Sequence, residues 1–403
     1  MTHSPFPIIS FNLVLIGGGH SHAIALELWG SNPLPGVRLV LITDTPHAPY
    51  SGMLPGYVAG FYTFDECHIH LPNLAKFAGA ELILDRAIGL DLENNRVLCA
   101  KSPPIPFDLL SIDIGSTPQA SHIPGAEYTI PAKPVPQFLD RWHELLETAR
   151  QNPDRSLSLG IVGGGAGGVE LALNIQSHLH RLVPPQNLAL HLFHRGGELM
   201  EGHAAPVRLR LQRILVERGV RIHLGETVNG ISPVEAAGVR VACESGLTVT
   251  CDRAFWVTQA SAPPWVSECG LSTDDRGFIA VGETLQSLSH PRIFATGDIA
   301  TMVAHPRPKA GVFAVRQGKP LFKNLQAAVL GKPLQRYIPQ KNLLALIGTG
   351  DGKAIASRGN WGFGPTGWLW CGKDRIDRAF MARFDHAKIT PETPEPDRGS
   401  PNS

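Results

Sequence analysis

Two glycine-rich turns in the sequence have the residue types and spacing that suit phosphate binding. The second carries Gly163, Gly165 and Gly168 at complete G-x-G-x-x-G spacing. The first glycine of such a turn permits a tight bend, the second lets backbone approach a pyrophosphate, and the third lets a helix pack on a strand. The first turn, Gly17-Gly18-Gly19-His20-Ser21-His22, has a histidine in the third place. We therefore expect two pyrophosphate sites, with altered helix packing near His22.

Each turn lies between an apolar run typical of a strand and a helical pattern. Residues 12–16 precede the first turn and residues 159–162 the second, and further β-like runs follow at 37–42 and 188–193. Strand, glycine turn, helix and strand in that order form a βαβ unit. Two such units predict an α/β fold with two Rossmann-like dinucleotide-binding domains.

Ribose recognition depends on the residue at the end of the second strand of each unit, because an acidic residue there usually binds the ribose hydroxyls. In the first unit Thr43 and Asp44 occupy this place, and either side chain suits the role. The second unit has His194-Arg195 and no acid. Arg195 would accept a 2′-phosphate or be simply solvated, so the sequence leaves NADH and NADPH open.

Composition excludes several classes of protein. The chain has 403 residues, 43% hydrophobic and 18% charged, with a net charge of +1, which gives no general attraction to nucleic acid. No secretory signal precedes the first strand and no apolar run is long enough to span a bilayer. The six cysteines are scattered without a Cys-x-x-Cys pair. We expect reduced thiols, no redox dithiol and a cytoplasmic location.

The order of motifs suggests domain boundaries. We expect the first dinucleotide domain over residues 10–130 and 263–330, and the second over 155–262. A small C-terminal α+β segment would follow at 331–388. The tail at 389–403 is rich in Pro, Glu, Asp and Ser and is expected to be disordered.

A third motif, Ala295-Thr296-Gly297-Asp298, follows the two turns. The ordered set of three resembles the pyridine-nucleotide-disulfide oxidoreductase superfamily, whose fold is of the glutathione-reductase type. The resemblance implies that the first turn binds FAD and the second binds NAD(P)H. It also implies that Asp298 contacts the ribityl–pyrophosphate part of FAD and that the segment ending in Gly115-Ser116 crosses the FAD site. The cofactor-binding residues expected on these grounds are Gly17, Gly18, Gly19, His20, Ser21, Thr43, Asp44, Gly115, Ser116, Gly163, Gly165, Gly168, Arg195, Gly297 and Asp298.

The absence of a dithiol makes the chain most similar to type II NADH dehydrogenases and their apoptosis-inducing-factor-like relatives. The resemblance places a loop containing Ser51, Met53 and Leu54 beneath the flavin ring, and starts a helix beside the ring at Lys309-Ala310. As a catalytic candidate, Lys309 would stabilise reduced flavin, unless it is a surface lysine that opens a helix. The other candidate, Glu170, would face the nicotinamide–flavin contact, unless it is a solvated residue near a helix N-terminus.

The Gly-Gly-Gly-His-Ser-His turn together with Ser51-Gly52-Met53-Leu54-Pro55-Gly56 is similar to the flavoprotein module fused ahead of selenide water dikinase in some bacteria. The sequence contains no dikinase domain. The resemblance therefore implies a selenium-linked role only as an alternative.

Two further groups of residues have competing interpretations. Cys67-His68-x-His70 has metal-ligand types, but neighbours on a strand face opposite ways, and we expect no metal site. Residues 361–384 mix aromatic and basic side chains, with a helix starting near Trp368. This segment is either a buried packing element or an interfacial helix, with Trp and Phe on one face and Arg and Lys on the other, that attaches to the cytoplasmic face of a membrane.

The resemblance as a whole predicts an FAD-dependent NAD(P)H oxidoreductase. Hydride would pass from NAD(P)H to FAD, and two electrons would then pass to a quinone-type acceptor. A flavin redox sensor or partner-binding module is the alternative from another class of function, since it would use the same motifs. The acceptor and the oligomeric state, monomer or homodimer, stay open.

Overall fold

The computed structural model describes residues 11–118, 123–234, 238–258 and 260–387. The expected disordered tail at 389–403 lies outside the described residues. Ten α-helices are formed within the described ranges: α1 (His20–Ser31), α2 (Leu54–Val58), α3 (Phe64–Cys67), α4 (Leu71–Ala78), α5 (Val135–Gln151), α6 (Ala166–Leu179), α7 (Ala205–Glu217), α8 (Pro264–Glu268), α9 (Gly311–Val329) and α10 (Gly367–Met381).

Two five-stranded parallel sheets form the frame of the molecule. In spatial order the first contains β21 (Ile293–Ala295), β9 (Leu109–Ile112), β1 (Phe11–Ile16), β2 (Val37–Thr43) and β5 (Glu81–Leu84). The second contains β11 (Ile130–Pro131), β18 (Arg253–Trp256), β12 (Leu157–Val162), β13 (Leu188–His194) and β14 (Val220–Leu224). The two Rossmann-like units predicted from the sequence are confirmed.

Smaller antiparallel sheets and strand pairs complete the fold. The three-stranded sheets are β6 (Ala87–Asp91), β7 (Arg96–Cys99) and β8 (Ile105–Pro106); β15 (Val228–Pro233), β16 (Val239–Cys243) and β17 (Thr248–Cys251); and β23 (Ala345–Gly348), β24 (Ala354–Arg358) and β25 (Trp361–Thr366). The antiparallel pairs are β3 (His47–Pro49) with β4 (His68–His70), and β10 (Thr117–Pro118) with β19 (Ala260–Ser261). β20 (Ile279–Val281) pairs in parallel with β22 (Ala300–Met302).

The first sheet is assembled from two distant parts of the chain. β9 pairs with β1 on one side and with β21 on the other, so the chain returns to this sheet after the second unit is complete. At Ile130 the chain has already joined the second sheet beside β18, at the residue where we placed the end of the first domain segment. The strand ends that carry all three sequence motifs are thereby fixed on parallel sheets.

Helix packing holds the two chain segments of the first unit together. α1 and α9 lie against each other, and a Cβ on Gly318 would come within 2.6 Å of the Ile24 side chain. The missing side chain therefore permits close helix contact. Because α1 begins at the first turn and α9 begins after Ala310, this packing sets the spacing of two segments that we expect at the FAD site.

Candidate active site

The first glycine turn has the backbone geometry expected of a phosphate turn. Gly17 follows β1 with φ +91°, and a Cβ there would collide with the carbonyl oxygen of Asp113. Gly19 is the N-cap of α1. Among the described residues the N–H of His20, the first residue of the helix, donates no hydrogen bond. That free donor at the positive end of a helix suits an anionic ligand.

His22 occupies the position of the third glycine in this turn, and its side chain supports the turn. Its ring is fully buried, with Nδ1 2.7 Å from the Gly17 carbonyl oxygen and Nε2 2.8 Å from the Ser111 hydroxyl. Burial lowers the pKa of His22 to about 4, so the ring is neutral at pH 7. Nδ1–H therefore donates to Gly17 and Nε2 accepts from Ser111. The packing near His22 therefore includes a side chain, whereas at Gly168 of the second turn a Cβ would collide with the Gly163 carbonyl.

The second turn has open space beside its second glycine, Gly165. Gly163 has φ +125°, and a Cβ on Gly168 would collide with the Gly163 carbonyl, so glycine is required at both places. A Cβ on Gly165 would meet no atom within 4 Å. Among the described residues the N–H groups of Ala166 and Gly167 donate no hydrogen bond. Open space beside free helix donors suits a pyrophosphate.

The ribose positions differ between the two units. Thr43 is buried and its hydroxyl donates to the Thr45 carbonyl at 3.2 Å, whereas Asp44 is exposed and accepts no hydrogen bond from the described residues. Of the two candidates, Asp44 is the one free to bind a ribose. In the second unit Arg195 is exposed, while His194 lies under the turn and accepts from the N–H of Gly164 at 3.3 Å.

Asp298 is held by a residue that the sequence analysis missed. Lys133 donates to Asp298 Oδ2 at 2.6 Å and to the Ser116 hydroxyl at 3.0 Å, and Ser116 donates to the same carboxylate at 3.1 Å. Residues 116, 133 and 298 come from three separate segments, so no local pattern could indicate this contact. The arrangement places two predicted residues, Ser116 and Asp298, side by side.

Thr296 gives an independent indication of a ligand near this cluster. Its side-chain oxygen Oγ1 is buried and has no hydrogen-bond partner among the described residues. Gly297 follows with φ +69°. A buried polar atom without a partner is costly, and a ligand that hydrogen-bonds to it would remove that cost.

The loop at residues 51–54, which the resemblance places beneath the flavin ring, lies against α1 and α9. The N–H of Ser51 donates to His20 Nε2 at 3.3 Å, and a Cβ on Gly311 would collide with the Ser51 hydroxyl. Met53 is fully buried. Burial lowers the pKa of His20 to about 4, so its ring accepts this hydrogen bond in the neutral form.

Lys309 is neither a free surface lysine nor a free cation. Its ammonium donates to the Ala300 carbonyl at 2.7 Å and to the Thr301 hydroxyl at 2.9 Å, and lies 3.8 Å from the centre of the Phe278 ring. Burial lowers the pKa of Lys309 to about 8. These contacts connect the segment before α9 to β22 and so hold Ala310 and the start of the helix in place.

Glu170 is likewise not solvated. Its Oε1 accepts from the N–H of Gly348 at 2.8 Å, which connects α6 to the C-terminal sheet. Burial raises the pKa of Glu170, an effect opposed by the positive charge of Lys373. The helix that begins at the second turn therefore carries a buried carboxyl group next to the C-terminal segment.

Lys373 and Asp377 of α10 form a buried ion pair that the sequence analysis missed. The Lys373 ammonium lies 2.6 Å from Asp377 Oδ2, with side-chain exposures of 9% and 7%. It also donates to the Gly52 carbonyl at 2.5 Å, and the Tyr50 hydroxyl donates to Asp377 Oδ1 at 3.2 Å. We call Glu170, Lys373, Asp377 and Tyr50 the inner polar cluster.

Of the two interpretations of residues 361–384, the helix with aromatic side chains on one face and basic side chains on the other does not match α10. The helix begins at Gly367, next to the expected start, but its buried face carries Lys373, Asp377 and Phe380. Trp368 is 63% exposed and Ile376 58%. Pairing allows Lys373 to be buried, because the ion pair and the Gly52 carbonyl replace its hydration.

A family model described as pyridine nucleotide-disulphide oxidoreductase matches residues 11–318. This range includes both turns, Asp298 and Lys309. The chain belongs to this family. Both turns fit the dinucleotide cofactors of the family, FAD and NAD(P)H, because each combines a helix N-terminus with a free backbone donor.

Relatives of this oxidoreductase include ferroptosis suppressor protein 1 of Xenopus tropicalis, 25% identical over 357 residues, covering 85% of this chain and 88% of the relative. The demethylphylloquinone reductase NdbB of Synechocystis sp. is 25% identical over 273 residues, covering 65% of this chain and 64% of the relative.

Solved structures agree on the fold. The NDH2 structure from Plasmodium falciparum in complex with NADH has a TM-score of 0.77 at 11% identity, covering 94% of this chain and 98% of that one. The sulfide:quinone oxidoreductase of Aquifex aeolicus has a TM-score of 0.75 at 19% identity, covering 95% and 93%. The glutathione-reductase-type fold predicted from the sequence is confirmed.

Proposed function

We propose that this oxidoreductase takes two electrons from NAD(P)H and delivers them to a quinone-type acceptor. FAD, when bound, supplies the two-electron carrier between these substrates. The proposal is supported by the relative named demethylphylloquinone reductase and by the absence of any Cys-x-x-Cys dithiol from the sequence. The selenium-linked role and the redox sensor stay predictions of the sequence resemblance.

One observation carries the proposal: three elements converge at the inner polar cluster. Glu170 comes from the helix of the second turn, Lys373 from α10, and the Gly52 carbonyl from the loop assigned to the flavin ring. Reduction of a quinone to a quinol requires two electrons and two protons, and the hydride from NAD(P)H accounts for both electrons and one proton. One further proton must therefore be supplied. We assign proton supply to this cluster, in which the raised pKa of Glu170 favours the protonated carboxyl group.

Absorbance spectroscopy tests the function. The purified protein should show a flavin spectrum whose blue-visible band bleaches with NADH or NADPH and returns when a menadione-type quinone is added. A redox sensor would instead reduce slowly, retain a stable charge-transfer band and respond to no quinone. Retention of flavin without bleaching by either nicotinamide would overturn the proposal.

We further propose that the protein meets its acceptor at a lipid surface. Three exposed aromatic side chains, whose rings lie side by side, form what we call the aromatic cluster. They are Trp361 (56% exposed), Phe363 (47%) and Trp368 (63%). Exposed Arg358 and Arg375 lie close to them in sequence. Large aromatic rings with neighbouring cations suit the interface of an anionic bilayer. Within the described residues no helix is long and apolar enough to cross a membrane.

Vesicle co-sedimentation tests the lipid proposal. Changing Trp361, Phe363 and Trp368 together to serine should reduce binding to anionic vesicles by about 100-fold or more, since burial of each large apolar side chain contributes about 1.5–3 kcal/mol. Turnover of a water-soluble quinone should be unchanged. Leu288→Ser, at another exposed apolar position, is the control. Equal binding of the triple variant and the unaltered protein would refute the lipid contact.

A further inference from the structure

Asp113 is a buried carboxyl group directly beneath the first turn. It follows β9 and is only 2% exposed. Its Oδ2 accepts from the N–H groups of Ser21 at 2.9 Å and His22 at 3.2 Å, the second and third residues of α1. A side chain from a distant strand thus takes two of the helix donors that an anionic ligand would otherwise use.

The two turns differ sharply at this point. In the second turn the space beside Gly165 is open, whereas in the first turn a Cβ on Gly19 would collide with the Asp113 carboxyl group. A Cβ on Gly297 would collide with its Oδ1. Asp113 Oδ1 therefore lies at the junction of the first turn and the Thr-Gly-Asp segment. The two backbone N–H groups that bond to this carboxyl group both donate to Oδ2, and neither donates to Oδ1.

Within the part of the chain that the structure describes, no cation contacts Asp113. The negative charge of Asp298, in the segment after β21, disfavours a negative charge on Asp113. Lys133, in the loop before α5, forms its ion pair with Asp298 and not with Asp113. On α1 both nearby histidines are neutral, because burial lowers the pKa values of His20 and His22 to about 4. Burial, helped by Asp298, raises the pKa of Asp113 to about 7 even though two N–H groups favour its charged form.

A charged carboxylate at this junction would repel a pyrophosphate dianion, whereas a neutral acid has a proton to donate. We propose that Asp113 binds the FAD pyrophosphate as a neutral acid, with Oδ2 capping α1 and a hydroxyl at Oδ1 donating to phosphate. When the Asp113 carboxyl group of the free protein is deprotonated, the protein then takes up one proton for each FAD bound. The inference rests on FAD binding at the first turn and is independent of the electron acceptor.

FAD dissociation tests the role of Asp113 without any turnover. The flavin-loaded protein is diluted at pH 6 to 9, and released FAD is measured by its fluorescence. The dissociation constant should rise by up to about tenfold per pH unit above pH 7, because each binding event must then restore one proton. The Asp113→Asn variant keeps an acceptor and a donor without charge, so its dissociation constant should not change across this range.

Calorimetry in buffers of different ionisation heat gives a second readout. FAD binding at pH 8 should take up close to one proton in the unaltered protein and none in Asp113→Asn. Asp108→Asn is the matched control, since Asp108 lies at the other end of the same strand, where it accepts from the N–H of Asn12 at 2.6 Å. The FAD dissociation constant of Asp108→Asn should depend on pH as it does in the unaltered protein.

Three results would overturn the inference: a dissociation constant independent of pH in the unaltered protein, equal pH dependence in Asp113→Asn, or proton release on binding. If Asp113→Asn does not fold, the pH series and proton count of the unaltered protein still decide. Failure of quinone reduction with these binding results intact would refute only the proposed acceptor.

Discussion

His22 supports the first turn through its side chain, whereas Gly168 supports the second turn by having none. The His22 ring joins the Gly17 carbonyl to the Ser111 hydroxyl, while a Cβ at position 168 would collide with the Gly163 carbonyl. The two turns therefore reach similar backbone shapes by opposite means. This difference allows the first turn to be tested without altering a glycine.

His22→Ala should lower the free energy of unfolding by about 2–4 kcal/mol. The change removes two buried hydrogen bonds, leaves the Ser111 hydroxyl without a partner and opens a cavity. Urea unfolding of the flavin-free protein measures the effect. His180→Ala, at an exposed position after α6, is the control and should change the value by less than about 0.5 kcal/mol. A negligible effect of His22→Ala would show that the ring is not structural.

At the scale of elements, α10 is held in place by charge as well as by apolar packing. Its Lys373–Asp377 pair is buried against the loop at residues 51–54, and Leu369, Phe380 and Met381 share the same buried face. Burying charges is costly unless both partners are present. The pair therefore fixes how the helix lies against the rest of the protein.

Lys373→Met should destabilise the protein by about 3–5 kcal/mol, because Asp377 would remain buried without its cation. The double variant Lys373→Met/Asp377→Leu should recover most of that loss. Arg141→Met, which breaks an exposed ion pair on α5, should cost less than about 1 kcal/mol. Thermal unfolding of the unaltered protein and the three variants measures these losses, and equal losses in Lys373→Met and the double variant would contradict this explanation.

The sequence predicted the elements around both turns, because apolar runs, glycines and helical periodicity are local signals. It did not predict the inward face of α10, since charged residue types favour exposure unless a partner is known. Lys133 and Asp113 were missed for a related reason. Their partners, Asp298 and the start of α1, are distant in sequence, so only the folded chain brings them together.

At the scale of the whole molecule, α6, the loop at 51–54 and α10 are joined through the C-terminal segment. Glu170 accepts from Gly348 of the C-terminal sheet, and Lys373 reaches back to Gly52 of the first unit. The C-terminal segment thereby contacts both dinucleotide units. An enzyme that transfers electrons between two bound molecules needs such fixed spacing.

The central claim is that the two turns bind different dinucleotides, and stopped-flow reduction of a Gly165→Val variant tests it most directly. Valine fits the free protein because the space is open, but it fills the place where backbone must approach a pyrophosphate. Gly230→Val, on an outer strand with equally open surroundings, is the control. We predict unchanged flavin content with reduction by NAD(P)H slowed about 100-fold. Loss of flavin, or reduction at the normal rate, would contradict the assignment.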